Sequence, residues 1–168
     1  VDGNRFYGYS LLAYDGASMC CYSNREDELT VLAPGVHGLS NHLLNSPWPK
    51  VTRGVDAIEH HFERGDDPDL MTERFFELLR DAYVPDDAAL PDTGVGVERE
   101  RELAPMFVHG DVYGTRSSTV LAISGEGDMR IEERSFDSKA RETGRVAYSW
   151  RRGDASGAQR VPVGAIPV

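Results

Sequence analysis

Three short segments rich in aromatic and aliphatic residues, Phe6–Tyr14, Ser18–Ser23 and Glu28–Ala33, follow one another with only Asp15-Gly16 and Asn24–Asp27 as breaks. Connections this short suit hairpins, so the spacing predicts an antiparallel meander of two hairpins at the start of the chain. Pro34-Gly35 ends the third strand, and Val36–Asn41 reads as a further extended piece that closes in a turn.

The period then changes. Val51, Val55, Ile58 and Phe62 recur at intervals of four, three and four, which places them on one face of a helix that begins after Pro49 and stops near Gly65. Asp67-Pro68, an N-cap followed by proline at the first helical position, opens a second helix that turns Met71, Phe75, Leu78, Leu79 and Ala82 inward. Both helices are expected on one side of a sheet. From Val84 to Ala104 the residues are mostly Pro, Asp, Gly and Glu with few apolar ones, a composition expected of a solvated, mobile loop. Sheet signals return at Met106–His109, Tyr113–Ser124, Met129–Phe136 and Arg145–Trp150, with a hairpin turn at Gly125-Glu126-Gly127-Asp128. Strands flanking a helical block give an α+β class, with one domain over 1–150. Residues 151–168 form a tail, extended or disordered or lying on a partner, because Val161-Pro162-Val163 and Ile166-Pro167-Val168 favour extended geometry.

The 168 residues carry 28 acidic and 18 basic side chains, a net charge of -10, which opposes attraction to nucleic acid. Only Lys50 and Lys139 are lysines, so arginine supplies the other cations, a bias that fits an acidic, salt-adapted, halophilic proteome. No apolar run is long enough for a membrane span. Cys20 and Cys21 are adjacent, face opposite sides of a strand, and have no third cysteine to pair with. A reduced, cytoplasmic setting and structural burial are expected of them.

Several motifs carry little chemistry. Glu59-His60-His61-Phe62-Glu63 lacks the one-turn histidine spacing of a zinc helix, and no metal is expected. Gly94-Val95-Gly96 lacks a third glycine, and His109-Gly110-Asp111 reads as a turn. Gly38–Lys50 differs, concentrating Ser40, Asn41, His42, Asn45, Ser46 and Lys50 around two prolines and Trp48. An asparagine at a strand end suits an oxyanion donor; equally, Asn41 and Asn45 serve as turn caps and Trp48 as a helix anchor. In Tyr113-Gly114-Thr115-Arg116-Ser117-Ser118-Thr119, an arginine inside a strand is costly without a carboxylate, ligand anion or thiolate beside it.

Taken in order, Gly35-Val36-His37-Gly38-Leu39-Ser40-Asn41, Leu44 through Val51, Tyr113 through Thr119 and Glu133-Arg134-Ser135-Phe136 resemble the NRDE family, also called the transport and Golgi organisation family, from Tyr7 to about Trp150. The resemblance implies an N-terminal-nucleophile-hydrolase-like fold, a layered αββα sandwich. This chain would be its C-terminal portion, incomplete without the family's first third, with a missing N-terminal segment or self-association completing the sheet. The family's nucleophile is a cysteine after the initiating Met, with an Asn-Arg-Asp-Glu motif nearby. Val1 offers no nucleophile, and Asn24-Arg25-Glu26-Asp27 has its acids reversed and lies in a later hairpin, so it is set aside.

By the same resemblance Asn41 is an oxyanion donor and Arg116 a neighbour of the nucleophile. Both are supporting catalytic residues, with Ser40, Asn45, Trp48, Tyr113 and Thr115 as ligand-binding ones. The function implied is cytoplasmic handling of a small molecule, haem as cofactor or lipid-derived acyl groups, by a chain catalytically incomplete as given. The alternative is hydrolysis of an amide or thioester with a cysteine from upstream sequence. His37, His42 and His109 are the candidate haem ligands.

Overall fold

A computed structural model describes residues 5–63, 68–154 and 157–163. It is mixed α+β: two antiparallel sheets and three α-helices, in two compact units, Val1–His60 and His61–Val168.

In the first unit the expected meander forms. Strands β1 (Ser10–Tyr14), β2 (Met19–Ser23) and β3 (Glu28–Val31) pair in that order. The first hairpin runs in register from Ser10 opposite Ser23 to Tyr14 opposite Met19. Its turn is set by Asp15, whose Oδ1 accepts the backbone N–H groups of Ala17 and Ser18, both at 2.8 Å. In the second hairpin Asp27 has a φ of 52° and accepts the Tyr22 hydroxyl at 2.8 Å. That hydrogen bond to a carboxylate pushes the Tyr22 phenol up to about 12. Cys21 is buried and Cys20 half-buried on the opposite face, as alternation along a strand requires.

Residues 32–48 contain no strand, so the piece Val36–Asn41 pairs with neither sheet. Helix α1 (Pro49–Glu63) follows. Its first turn is anchored by the Trp48 carbonyl, which accepts from Val51 at 2.8 Å and from Thr52 at 3.0 Å. Val51 is buried and Val55 and Ile58 half-buried, but Phe62, the last residue of the stripe, is exposed apart from its contact with Phe75.

The second unit is built on strands β4 (Ser117–Ile123), β5 (Asp128–Phe136), β6 (Glu142–Arg151) and β7 (Gln159–Val161). Within residues 151–168, read as a tail that is extended or disordered or on a partner, β7 is extended and paired: Ala147, Tyr148 and Ser149 lie opposite Val161, Arg160 and Gln159. The Ile166-Pro167-Val168 segment, like Gly65 and Asp67, lies outside the described residues.

Helix α2 (Pro68–Leu78) covers this sheet through Phe76, 2% exposed. Phe76 stands beside the apolar stripe read from the sequence, whereas Ala82 is exposed. The reason is the sheet's inner face, which presents the guanidinium of Arg134 3.8 Å from the Phe76 ring centre, a cation–π contact rather than an aliphatic one. Arg134 is itself buried beside buried Glu132 and paired with Glu73 of α2.

Two further corrections concern the middle of the chain. Val84–Ala104 is not simply a solvated loop, because it contains a 3-10 turn at Asp87–Ala89 and helix α3 (Val97–Leu103). Buried Glu100 accepts the Thr93 N–H at 2.7 Å and hydroxyl at 2.5 Å, and Arg101 grips both oxygens of Asp87. Met106–His109 is not a strand; Phe107 donates its N–H to Asp81 and packs edge-on to Phe136, ring centres 5.0 Å apart.

Candidate functional site

The two sequence clusters fall one in each unit. In the first, residues 37–48 form a loop held by its own side chains. Asn45, at a φ of 56°, accepts the Gly38 N–H at 2.9 Å through Oδ1 and returns its own N–H to the Gly38 carbonyl at 2.7 Å. Its Nδ2 lies 3.1 Å from His37 Nδ1, and His37 Nε2 lies 2.9 Å from the Ala33 carbonyl. A carbonyl only accepts, so Nε2 carries the proton and Nδ1 accepts from Asn45.

The same logic fixes His42. Buried Ser46 donates its hydroxyl to the Leu43 carbonyl at 2.8 Å, so the His42 Nδ1, 2.7 Å away, donates to Ser46 Oγ and leaves Nε2 as the acceptor in the neutral ring. The imidazole lies on Trp48, ring centres 5.2 Å apart. Gly38 is where the loop meets α1: a Cβ there would sit 2.5 Å from Val51 Cγ1.

This loop forms one wall of an open cleft of about 610 Å³, contributing Leu39, Ser40, Asn41 and His42. The other wall is Gly8, Tyr9, Ser10 and Arg25. That wall is held by Asn24, whose Oδ1 accepts the Tyr9 N–H at 2.6 Å and whose Nδ2 donates to the Tyr7 carbonyl at 3.2 Å. The side-chain amide of Asn41 makes no hydrogen bond among the described residues, and the residue is exposed and lines the cleft. Ser40 is half-buried beside it; Asn45 and Trp48 are not among the residues that line the cleft.

The second cluster closes a loop over residues 107–116. Thr115 and Val108 are joined twice, by the Thr115 N–H to the Val108 carbonyl at 2.8 Å and by the Val108 N–H to Thr115 Oγ1 at 3.0 Å. A Cβ on Gly110 would come within 2.9 Å of the Tyr113 carbonyl. His109-Gly110-Asp111 is therefore part of a tight turn. Tyr113 is exposed under the Arg99 guanidinium, 5.3 Å from its ring centre.

Arg116, read from the sequence as lying inside a strand, immediately precedes β4 and is exposed. The costly buried arginine is Arg134. Arg116 borders a depression of about 60 Å³ together with Asp137 and Ser138, room for a water or two rather than a substrate. Asp137 accepts from the Arg141 side chain and backbone and from the Lys139 N–H, and these donors hold its carboxyl down to about 2.

Four residues of the cleft, Gly8, Tyr9, Ser10 and Arg25, were not visible as site residues in the sequence. Arg25 belongs to the Asn24–Asp27 segment, set aside for its order of acids, yet Asn24 holds the wall and Arg25 lines the cleft. Gly8 is the seat on which Arg25 lies: a Cβ there would overlap Nε and come within 2.9 Å of Cζ. A cation in the hairpin loop of an acidic chain was the available signal.

A chain with this loop, this meander and this second sheet belongs to the Transport and Golgi organisation 2 family, whose sequence profile matches residues 2–138. Among its relatives, the Transport and Golgi organization protein 2 homolog of Bos taurus is 34% identical over 157 residues, 81% of this chain and 53% of the relative. The homolog of Homo sapiens is 31% identical over 152 residues, covering 83% and 54%. The chain thus spans about half the length of the curated relatives it matches.

Proposed function

We propose that the chain handles small amphiphilic molecules, haem or lipid-derived acyl groups, in the cleft of its first unit, binding them rather than turning them over as it stands. The observation that carries this reading is the cleft itself. Its volume of about 610 Å³ is of the size that takes small ligands, and its lining joins Leu39 and Tyr9 to Arg25, Ser40, Asn41 and His42.

The residues suit haem. Of the three candidate ligands, His37 uses both ring nitrogens within its loop and His109 borders only the small depression, while His42 borders the cleft with Nε2 as acceptor. Haem would supply an iron centre for that imidazole. A haem titration of the chain is expected to shift the Soret band, and His42→Ala to remove the shift where His37→Ala does not. Absence of any Soret change, together with failure to displace a fluorescent fatty-acid probe, would overturn the reading.

A second reading, hydrolysis of an amide or thioester, is favoured by one observation, the uncommitted amide of Asn41, a residue that lines the cleft. It takes the two sheets and helices as part of an N-terminal-nucleophile-like αββα sandwich in the cytoplasm, with an upstream cysteine as nucleophile. Asn41 would then steady the oxyanion through Nδ2, and Arg116 would neighbour the nucleophile. Labelling of that cysteine by activated esters in the longer protein tests it, and no labelling with any ester rejects it.

A further inference from the structure

The chain has 28 acidic residues, yet among the described residues none lines the cleft. Its described lining is one guanidinium, one imidazole, an amide, two serine hydroxyls and a tyrosine, with Leu39 and Gly8 completing it. The acids that follow Arg25 in the hairpin, Glu26 and Asp27, are not part of the wall, and Asp27 is turned onto the Tyr22 hydroxyl. Arg25 forms no ion pair among the described residues. Its guanidinium rests across Gly8, where the missing Cβ leaves room for it. A cation held over backbone at the edge of a cleft whose described lining carries no acid presents a positive charge to whatever enters.

We propose that the cleft selects ligands by a carboxylate, which Arg25 meets as the counter-charge while the Asn41 Nδ2 donates to it from the opposite wall. The inference rests on the binding function proposed above and names the ligand class for it: amphiphiles that end in a carboxylate, rather than neutral ones. The guanidinium fork suits a carboxylate because two parallel N–H groups match its two oxygens. Arg25 is exposed, so the gain is modest and salt-sensitive.

The test compares decanoate with decanol, below micellar concentration, by calorimetric titration of the full chain and of Arg25→Gln and Gly8→Ala. The second variant keeps the charge but crowds the seat of a flexible side-chain end, so it displaces the guanidinium with little demand on the fold. Decanoate is expected to bind the parent chain more tightly than decanol. Arg25→Gln should weaken decanoate about fivefold and leave decanol unchanged, and Gly8→Ala should weaken decanoate in the same direction. Moderate salt should narrow the difference. Equal binding of decanoate and decanol by the parent chain, or decanoate affinity unmoved in both variants, overturns carboxylate selection while leaving the cleft a binding site. Absence of binding by both compounds overturns the proposed function and this inference with it.

Discussion

At the scale of single residues, Gly38 shows how a loop and a helix constrain each other. Its missing Cβ lets the backbone of the cleft loop approach Val51 and Val55, and Val51 is only 8% exposed, so it has nowhere to withdraw. Gly38→Ala would place a methyl 2.5 Å from Val51 Cγ1 and is expected to destabilise the chain by about 1–3 kcal/mol, the usual cost of overpacking. Urea denaturation measures this, with Gly125→Ala, where a Cβ meets nothing within 4 Å, as the comparison. Equal midpoints for the two variants would show that the loop moves aside freely. Asn45 illustrates a different kind of constraint. Its side chain bonds to Gly38 and His37 and its backbone adopts a φ of 56°, a conformation asparagine tolerates better than most residues. That commitment leaves Asn41 as the asparagine whose amide is available to the cleft.

At the scale of elements, the central strand β5 turns two of its charges, Glu132 and Arg134, inward. Glu132 and Arg134 are 5% and 6% exposed, and Glu73 reaches Arg134 from α2. Removing one member of a buried pair strands the other, so Arg134→Ala is expected to cost about 3–5 kcal/mol. The double change Arg134→Met with Glu132→Leu removes both charges and should cost less. Thermal denaturation of the two variants decides it; a double variant as unstable as the single one would locate the loss in packing on Phe76 instead. This strand also explains what was legible in the sequence. The hairpins, α1, α2 and the β4–β5 turn follow from local periodicity and turn residues, which act over a few positions and so can be read directly. The inward arginine could not be assigned that way, because Arg116 and Arg134 both stand among strand-forming residues and only the tertiary position of Phe76 and Glu73 distinguishes them. Helix α3 was missed for a similar reason: its polar sequence has no apolar stripe, and its segment is held by Glu100 on Thr93 and Arg101 on Asp87. The cleft's Ser40, Asn41 and His42 were legible as a cluster, whereas Arg25 reaches them only through the fold of the hairpin.

At the scale of the whole molecule, the two units have unequal cores. Phe76, Ala104, Phe107, Val120, Phe136 and Ala147 are buried in the second, against Cys21 and Val51 in the first. Every residue of β1 and of β3 is exposed, and a small sheet with so little apolar surface removed from water is marginal by itself. Amide exchange should therefore be uneven, fastest in β1 and β3 and slowest in the middle of β5, which has a paired strand on each side. A ligand that binds only the folded cleft stabilises that unit by RT ln(1 + [L]/Kd). The cleft wall includes Ser10 of β1 and Arg25 of the β2–β3 turn, so saturating decanoate should slow exchange in β1–β3 while leaving β5 where it was. Protection that rises equally in both sheets would mean that the ligand acts on the chain as one cooperative body; protection that rises in β5 alone would move the binding site out of the first unit.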